Sequence, residues 1–186
     1  IVGETLIDVP RNYNKHYLGI PIKELVDREF YAYSYNVAES RFVLRRVFNV
    51  RKTGEKREVW KVTYKGDARN KYGKSFGCLT ATPDHKVLLS NGEYRRIDSL
   101  ERGDRLVFLY KILPFDGYWR IRSKEKQVEY EHKFILEELH GSRKEEGHHK
   151  DRNKKNNTHT NLISLCQNCH VSIHWKLRKK DVKICV

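Results

Sequence analysis

Two histidine pairs near the C-terminal end constrain this chain more than anything else in it. His148 and His149 are adjacent, and His170 and His174 are four apart. Adjacent residues on a strand point to opposite faces. Residues four apart on a helix share one. Between the pairs runs Lys150-Asp151-Arg152-Asn153-Lys154-Lys155-Asn156-Asn157, then the short run Leu162-Ile163-Ser164-Leu165. Asn and Asp favour such loops because their side chains bond to backbone two residues on. The pattern predicts a strand, a loop, a second short strand and a helix. That order brings both pairs to one place, with two or three imidazoles for a metal ion and one more to act as a base.

The rest of the composition narrows the setting. The 186 residues suffice for one large domain or two small ones. Formal net charge is +14, with 21 basic and 14 acidic residues in 1–110 and 17 and 10 in 111–186. The second part is the more densely basic, which favours a polyanionic partner such as nucleic acid. No run of 18 apolar residues exists, so no membrane span is expected. No secretory pattern opens the chain. Cysteines at 78, 166, 169 and 185 are too few and too uneven for a disulfide scaffold, and a reducing, cytoplasmic setting is expected. Methionine is absent, so a chain beginning Ile1-Val2-Gly3 is expected to come from a longer one.

Residues 1–110 read as many short strands: 6–9, 29–35, 41–47, 59–64 and 85–89, β-branched or aromatic and partly alternating. Turn signals separate them, at Pro10-Arg11-Asn12, Thr53-Gly54-Glu55, Lys65-Gly66-Asp67, Tyr72-Gly73-Lys74 and Arg102-Gly103-Asp104. Asn91-Gly92 is the strongest and predicts a type I′ hairpin. Ile22–Val26 and Ile97–Leu100 each read as one helical turn. Leu113-Pro114-Phe115-Asp116-Gly117 marks a boundary. Beyond it, 118–122 and 127–130 read as a hairpin. Phe134, Ile135, Leu136 and Leu139 then read as a short helix closed by Gly141.

Cys166-Gln167-Asn168-Cys169 is half of a zinc knuckle without its second pair. At helical spacing Cys166, Cys169, Ile173 and Leu177 make an apolar stripe, so buried thiols are expected and structural zinc is not. Trp119 and Trp175 are expected in the core.

The C-terminal segment resembles the HNH nucleases, in their phage and intron homing-endonuclease branch. The resemblance rests on Tyr130-Glu131-His132-Lys133, Glu137-Glu138-Leu139-His140-Gly141, Gly147-His148-His149-Lys150-Asp151, Asn156-Asn157, Asn161-Leu162, His170 and His174. Gly147 departs from it, because an apolar residue usually precedes the paired histidines there. The resemblance implies a ββα-metal fold that hydrolyses DNA. His149 would be the general base, and Asn161 the structural amide that holds the loop and so aims the His149 ring. His148, His170 and, as a third ligand, His174 would bind one divalent cation, Mg²⁺ or Mn²⁺, with Zn²⁺ as a further choice. DNA contacts are expected from Arg120, Arg122, Lys124 and Lys126, from Arg152, Lys154 and Lys155, and from Lys176, Arg178, Lys179 and Lys180.

The N-terminal part resembles the Hint domain shared by inteins and hedgehog proteins. Gly3-Glu4-Thr5-Leu6-Ile7, Pro21–Val26 and Thr80-Ala81-Thr82-Pro83-Asp84-His85-Lys86-Val87 carry it, with Ser90–Leu100 and Gly103-Asp104. Thr82 and His85 match the family's TxxH block. The nucleophile would fall before Ile1, and the terminal His-Asn pair is absent, so this block is expected to be inactive here.

The sequence therefore predicts an α+β chain of two domains. Residues 1–113 form an all-β Hint-like fold, and 114–186 a ββα-metal nuclease. The expected function is that of an intein-associated homing endonuclease acting on double-stranded DNA. Protein splicing with a DNA-binding insert is the alternative. A host protein or a complementary C-terminal intein fragment is a further expected partner. The expected location is the cytoplasm of a prokaryotic or phage-infected cell.

Overall fold

The computed structural model describes residues 1–54, 57–65, 76–124, 127–141 and 145–176. Those residues form an α+β chain. In order, the strands are β1 (Leu6–Ile7), β2 (Ile20–Pro21), β3 (Phe30–Asn36), β4 (Arg41–Val47), β5 (Trp60–Lys65), β6 (Phe76–Ala81), β7 (Lys86–Leu88) and β8 (Tyr94–Arg96). Next come β9 (Lys111–Ile112), β10 (Arg120–Lys124), β11 (Gln127–Tyr130), helix α1 (Glu131–His140), β12 (Glu146–His149), β13 (Leu162–Leu165) and helix α2 (Gln167–Lys176). Among the described residues no helix is long and apolar enough to cross a membrane.

The chain divides into two compact units, and neither is continuous in sequence. One comprises Ile1–Ile7, Ile20–Phe30 and Val47–Phe108; the other comprises Asp8–Gly19, Tyr31–Arg46 and Leu109–Val186. The boundary expected between 113 and 114 follows a Pro-Gly signal in chain order. The contacts instead group residues 8–19 and 31–46 with the C-terminal part. Chain order alone does not reveal such an exchange.

The first unit is built from antiparallel pairs. β5 and β6 pair from Trp60↔Ala81 to Lys65↔Phe76. Gly77 lies opposite Tyr64, and a Cβ there would meet the Tyr64 ring at 2.3 Å, so the ring covers a position only glycine leaves open. β7 and β8 pair from Lys86↔Arg96 to Leu88↔Tyr94. Their connection is not the expected two-residue type I′ turn. Gly92 has φ 87, Asn91 is not left-handed, and Leu89 N–H bonds Glu93 O at 2.8 Å. The Asn91 side chain accepts from Glu93 N–H at 3.0 Å, which favours this wider loop. The single helical turns expected near 22 and 97 are present as 3-10 turns, Ile22–Leu25 and Ile97–Ser99. The turns expected at 55, 66–67 and 72–74 lie outside the described residues.

The second unit is organised by a sheet in the order β11-β10-β4-β3, with β9 also paired to β10. α1 packs its apolar face here. Leu44, Ile121, Phe134, Ile135, Leu136 and Leu162 form a buried core, flanked by Tyr31, Tyr33, Leu109 and Leu139. α1 ends where expected: Gly141 takes φ 70 and its N–H bonds Glu137 O at 2.8 Å. The Glu138 carboxylate, on the same helix, accepts from Arg41 and from Leu44 N–H, so α1 is tied to β4.

Candidate metal centre

β12 and β13 form the expected hairpin, paired Glu146↔Leu165, Gly147↔Ser164, His148↔Ile163 and His149↔Leu162. α2 follows after one residue, so the expected strand–loop–strand–helix order is realised within the second unit. α2 starts on a sulfur cap: Cys166 Sγ accepts from Cys169 N–H at 3.3 Å. That contact holds the Cys166 thiol below its usual range. Cys166 is exposed and Cys169 half-buried, so the expected core stripe is absent at these two positions. The helix instead turns His170 and His174 toward His148. Leu177 and Cys185 lie outside the described residues. Trp119 is in the core as expected, stacked on Tyr13 at 4.1 Å. Trp175 is not: it is 67% exposed near the end of α2.

His148, His170 and His174 come together, each offering one ring nitrogen within 4.8 Å of the others. Their ring centroids are 4.6–5.5 Å apart, and the Nε2 atoms of His170 and His174 are 3.2 Å apart. His148 is buried, His170 half-buried and His174 exposed, so the cluster opens outward. Burial, and then the neighbouring imidazoles, push His148 and His170 below the ordinary histidine value. A neutral ring is the form that binds metal. The donor set suits a divalent ion with open positions for water or phosphate.

His149 points the other way from the strand, into a buried polar chain. Its Nε2 lies 2.8 Å from Asn157 Oδ1. Asn157 Nδ2 donates to Glu131 Oε2 at 2.5 Å. Glu131 Oε1 accepts from Tyr13 and Tyr33 hydroxyls at 2.6 Å each and from Lys111 Nζ at 2.8 Å. Glu131 and Asn157 are almost fully buried. Burial pushes the Glu131 carboxyl up, but Lys111 and the hydrogen bonds it receives outweigh this and the net direction is down. The same neighbours push the Tyr13 and Tyr33 hydroxyls well above their usual range, burial first and the Glu131 charge second. His149 is lowered by burial, against the raising effect of its bond to Asn157.

Local pairing explains how Asn157 is held. Asn12 bridges Asn156, Tyr13 N–H bonds Lys155 O at 2.8 Å, and Asn157 N–H bonds Arg11 O at 2.9 Å. Segment 11–13 thus clamps the end of the polar loop. Asn161 holds the other side: its Nδ2 donates to Asp151 Oδ1 and Asn156 O at 2.8 Å each, and its Oδ1 accepts from Asp151 N–H at 3.1 Å. Asn161 therefore braces the loop, as expected, while the amide on the His149 ring is that of Asn157. Asn157, Tyr13, Tyr33 and Lys111 were not among the expected site residues. Lys111, Tyr13 and Tyr33 precede the site by many residues, and no spacing rule links them to it.

His132 fills the remaining space beside His149, with ring centroids 5.0 Å apart. Tyr118 and Tyr130 flank it at 5.3 and 5.5 Å. Burial, and then His149, push it down to about 3, so it stays neutral. Gly147 has a reason here. A Cβ would meet His132 Cδ2 at 2.7 Å and Leu136 Cδ1 at 3.0 Å, so the glycine lets α1 press onto β12.

The expected DNA-contacting residues divide. Arg152, Lys154 and Lys155 lie on the loop and are exposed, with Lys154 reaching back across it. Lys154 Nζ lies 4.3 Å from the Tyr118 ring centroid and bonds Asp116 O at 3.2 Å. Arg120 and Arg122 are half-buried, over Tyr130 at 4.8 Å and Tyr110 at 4.9 Å, with Arg120 also bonded to Asp116. Those two guanidiniums are engaged within the unit. The side chains of Lys124 and Lys176, and all of Lys126, Arg178, Lys179 and Lys180, lie outside the described residues.

In the first unit, Thr82 lines a cleft of about 830 Å³ with Ile1, Val2, Gly3, Ile22 and Val59 among others. His85 N–H bonds Thr82 O at 3.0 Å. Burial, the largest cause, pushes the His85 imidazole down.

No protein-family model matches the chain. A stretch of 194 aligned residues, taking in 94% of the chain, is 27% identical to the B protein of DNA gyrase from Synechocystis sp. (strain ATCC 27184 / PCC 6803 / Kazusa). The chain spans 17% of that protein's length, so it is similar to a limited part of a much longer relative.

Proposed function

We propose that this chain is an intein-associated homing endonuclease of the HNH class, hydrolysing DNA phosphodiester bonds with a histidine-activated water. The observation that carries the reading is the cluster of His148, His170 and His174 on a strand–loop–strand–helix frame, with His149 held on the opposite face of the same strand. The three imidazoles fit a divalent cation. Imidazole suits Zn²⁺ and similar ions, and Mg²⁺ or Mn²⁺ would complete its shell with water and phosphate oxygens. Such an ion, when bound, supplies charge stabilisation at the scissile phosphate and at the leaving 3′ oxygen. His149 takes the proton from the attacking water, since a neutral imidazole is a base near neutral pH. Asn157 and Glu131 hold its ring. Arg152, Lys154 and Lys155 address backbone phosphates, which set register. A relative named for DNA gyrase fits an enzyme that acts on DNA. A match to almost all of this chain but 17% of the relative also fits a segment inserted in a host protein.

A second reading, self-processing by a Hint-type first unit, is favoured by one observation: Ile1 and Thr82 line the same cleft.

The nuclease reading is tested by incubating the chain with a supercoiled plasmid library carrying random inserts, in Mg²⁺, Mn²⁺, Zn²⁺ or EDTA. Nicked or linear products with at least one ion, absent in EDTA, are expected. Intact plasmid in every arm would overturn it.

A further inference from the structure

We propose that Glu131 is a positioning residue that selects the tautomer of His149 through the side-chain amide of Asn157, with Lys111 fixing the polarity of the relay. Its consequence for cleavage rests on the nuclease reading above; the relay itself is a property of the folded chain.

Donors and acceptors decide the orientation of each group. Asn157 is 1% exposed and sits between two partners, with Glu131 Oε2 at 2.5 Å on one side and His149 Nε2 at 2.8 Å on the other. A carboxylate only accepts, so the Asn157 NH₂ must face Glu131. That leaves Oδ1 facing the imidazole. A carbonyl oxygen also only accepts, so His149 Nε2 must carry the hydrogen. A neutral imidazole has one N–H, and the lone pair therefore resides on Nδ1. An amide turned by half a rotation would fill the same space and impose the opposite tautomer. Asn157 alone does not choose between them; Glu131 does.

Glu131 is in turn held as an acceptor. Its Oε1 receives Lys111 Nζ and the hydroxyls of Tyr13 and Tyr33. An ammonium has no acceptor, so whatever stands at that position must keep an oxygen toward Lys111. This predicts the outcome of an isosteric change. In Glu131→Gln the carbonyl stays on the Lys111 side and the new NH₂ faces Asn157. The Asn157 amide then turns its oxygen to the Gln and its NH₂ to His149. Nε2 becomes an acceptor, the hydrogen moves to Nδ1, and the base loses its lone pair where the original tautomer had it. Adding Asn157→Asp reverses this. The Gln NH₂ donates to the Asp carboxylate, which accepts from His149 Nε2–H, and the first tautomer returns.

The experiment is ¹⁵N-edited NMR of histidine-labelled protein at a pH where His149 is neutral, with cleavage measured on the same samples. Nε2–H is expected in the wild type, Nδ1–H in Glu131→Gln, and Nε2–H again in Glu131→Gln with Asn157→Asp. Cleavage is expected to fall about 10²–10⁴-fold in the single variant at unchanged DNA affinity, and to return to within about tenfold in the double. Wild-type protein with Nδ1–H, or a folded Glu131→Gln that keeps Nε2–H, would overturn the proposal. If Glu131→Gln fails to fold, the wild-type spectrum still decides the tautomer. A wild type that shows the expected tautomer but cleaves no DNA would sink the nuclease reading and leave the relay standing.

Discussion

At the scale of single residues, the site separates into groups that meet solvent and groups that are sealed from it. His170 belongs to the first. Removing it leaves two nitrogens of three, and outer partners of a metal site alone are worth roughly 10–100-fold. His170→Ala is therefore expected to weaken Mn²⁺ or Zn²⁺ binding by about 10²-fold or more, read by isothermal titration; unchanged affinity would remove His170 from the centre. Lys111 belongs to the second group, with its side chain 9% exposed against a Glu131 side chain that is fully buried. Lys111→Met strands a buried carboxylate, which costs roughly 3–5 kcal/mol. The sign with pH follows from Glu131. Its folded value lies below the unfolded one, so its stabilisation is complete above the unfolded value of about 4.3 and is lost as pH falls through the folded value. In urea melts, the gap between wild type and Lys111→Met should thus be wide at pH 7 and shrink below about pH 4; a gap independent of pH would contradict the ion pair. His148, His170 and His174 were legible in the sequence because strand and helix periods bring them together. Asn157 was not. Which of several loop asparagines faces the ring depends on the clamp by residues 11–13, and no local pattern encodes that pairing.

At the scale of elements, α1 and the β12–β13 hairpin decide the geometry, and their contact runs through Gly147. A methyl group there would displace the His132 ring, which is hemmed in by Tyr118, Tyr130 and His149. Overpacking of this kind costs about 1–3 kcal/mol. Gly147→Ala is expected to lower stability by that amount and to lower cleavage with it, as a denaturant melt would show; a neutral effect would mean that α1 and β12 are not pressed together. Helix α1 was readable from its apolar spacing and from Gly141, and the β10–β11 hairpin from its two aromatic and branched runs. The short strands β2 and β9 and the strand β6 are not legible in the sequence. Two or three residues carry too little alternation to stand out, and β6 is rich in small residues. The Cys166–Ile173 stripe does not mark core because apolar spacing does so only where another element covers it, and here Cys166 is exposed while Cys169 and Ile173 are half-buried.

At the scale of the whole molecule, charge and chain order carry different amounts of information. The net charge of +14 is a direct expectation of polyanion binding. If three loop cations contact phosphate, log affinity for duplex DNA should fall with log salt at a slope of about −2.7 or steeper, measured by fluorescence anisotropy; a slope near zero would show that the charge serves another purpose. Chain order tells less. Residues 8–19 and 31–46 precede the boundary signal near 113, yet they group with the histidine cluster, because segment 11–13 pairs with the polar loop and Tyr33 reaches Glu131. The central proposal is that His149 activates the attacking water. Single-turnover cleavage of a plasmid substrate by the intact chain, wild type against His149→Ala at saturating metal, tests it most directly. The expected rate is lower by about 10²–10⁴ with DNA and metal affinity unchanged, and the wild-type products should end in 5′-phosphate and 3′-hydroxyl. Cleavage by His149→Ala at the wild-type rate would contradict it.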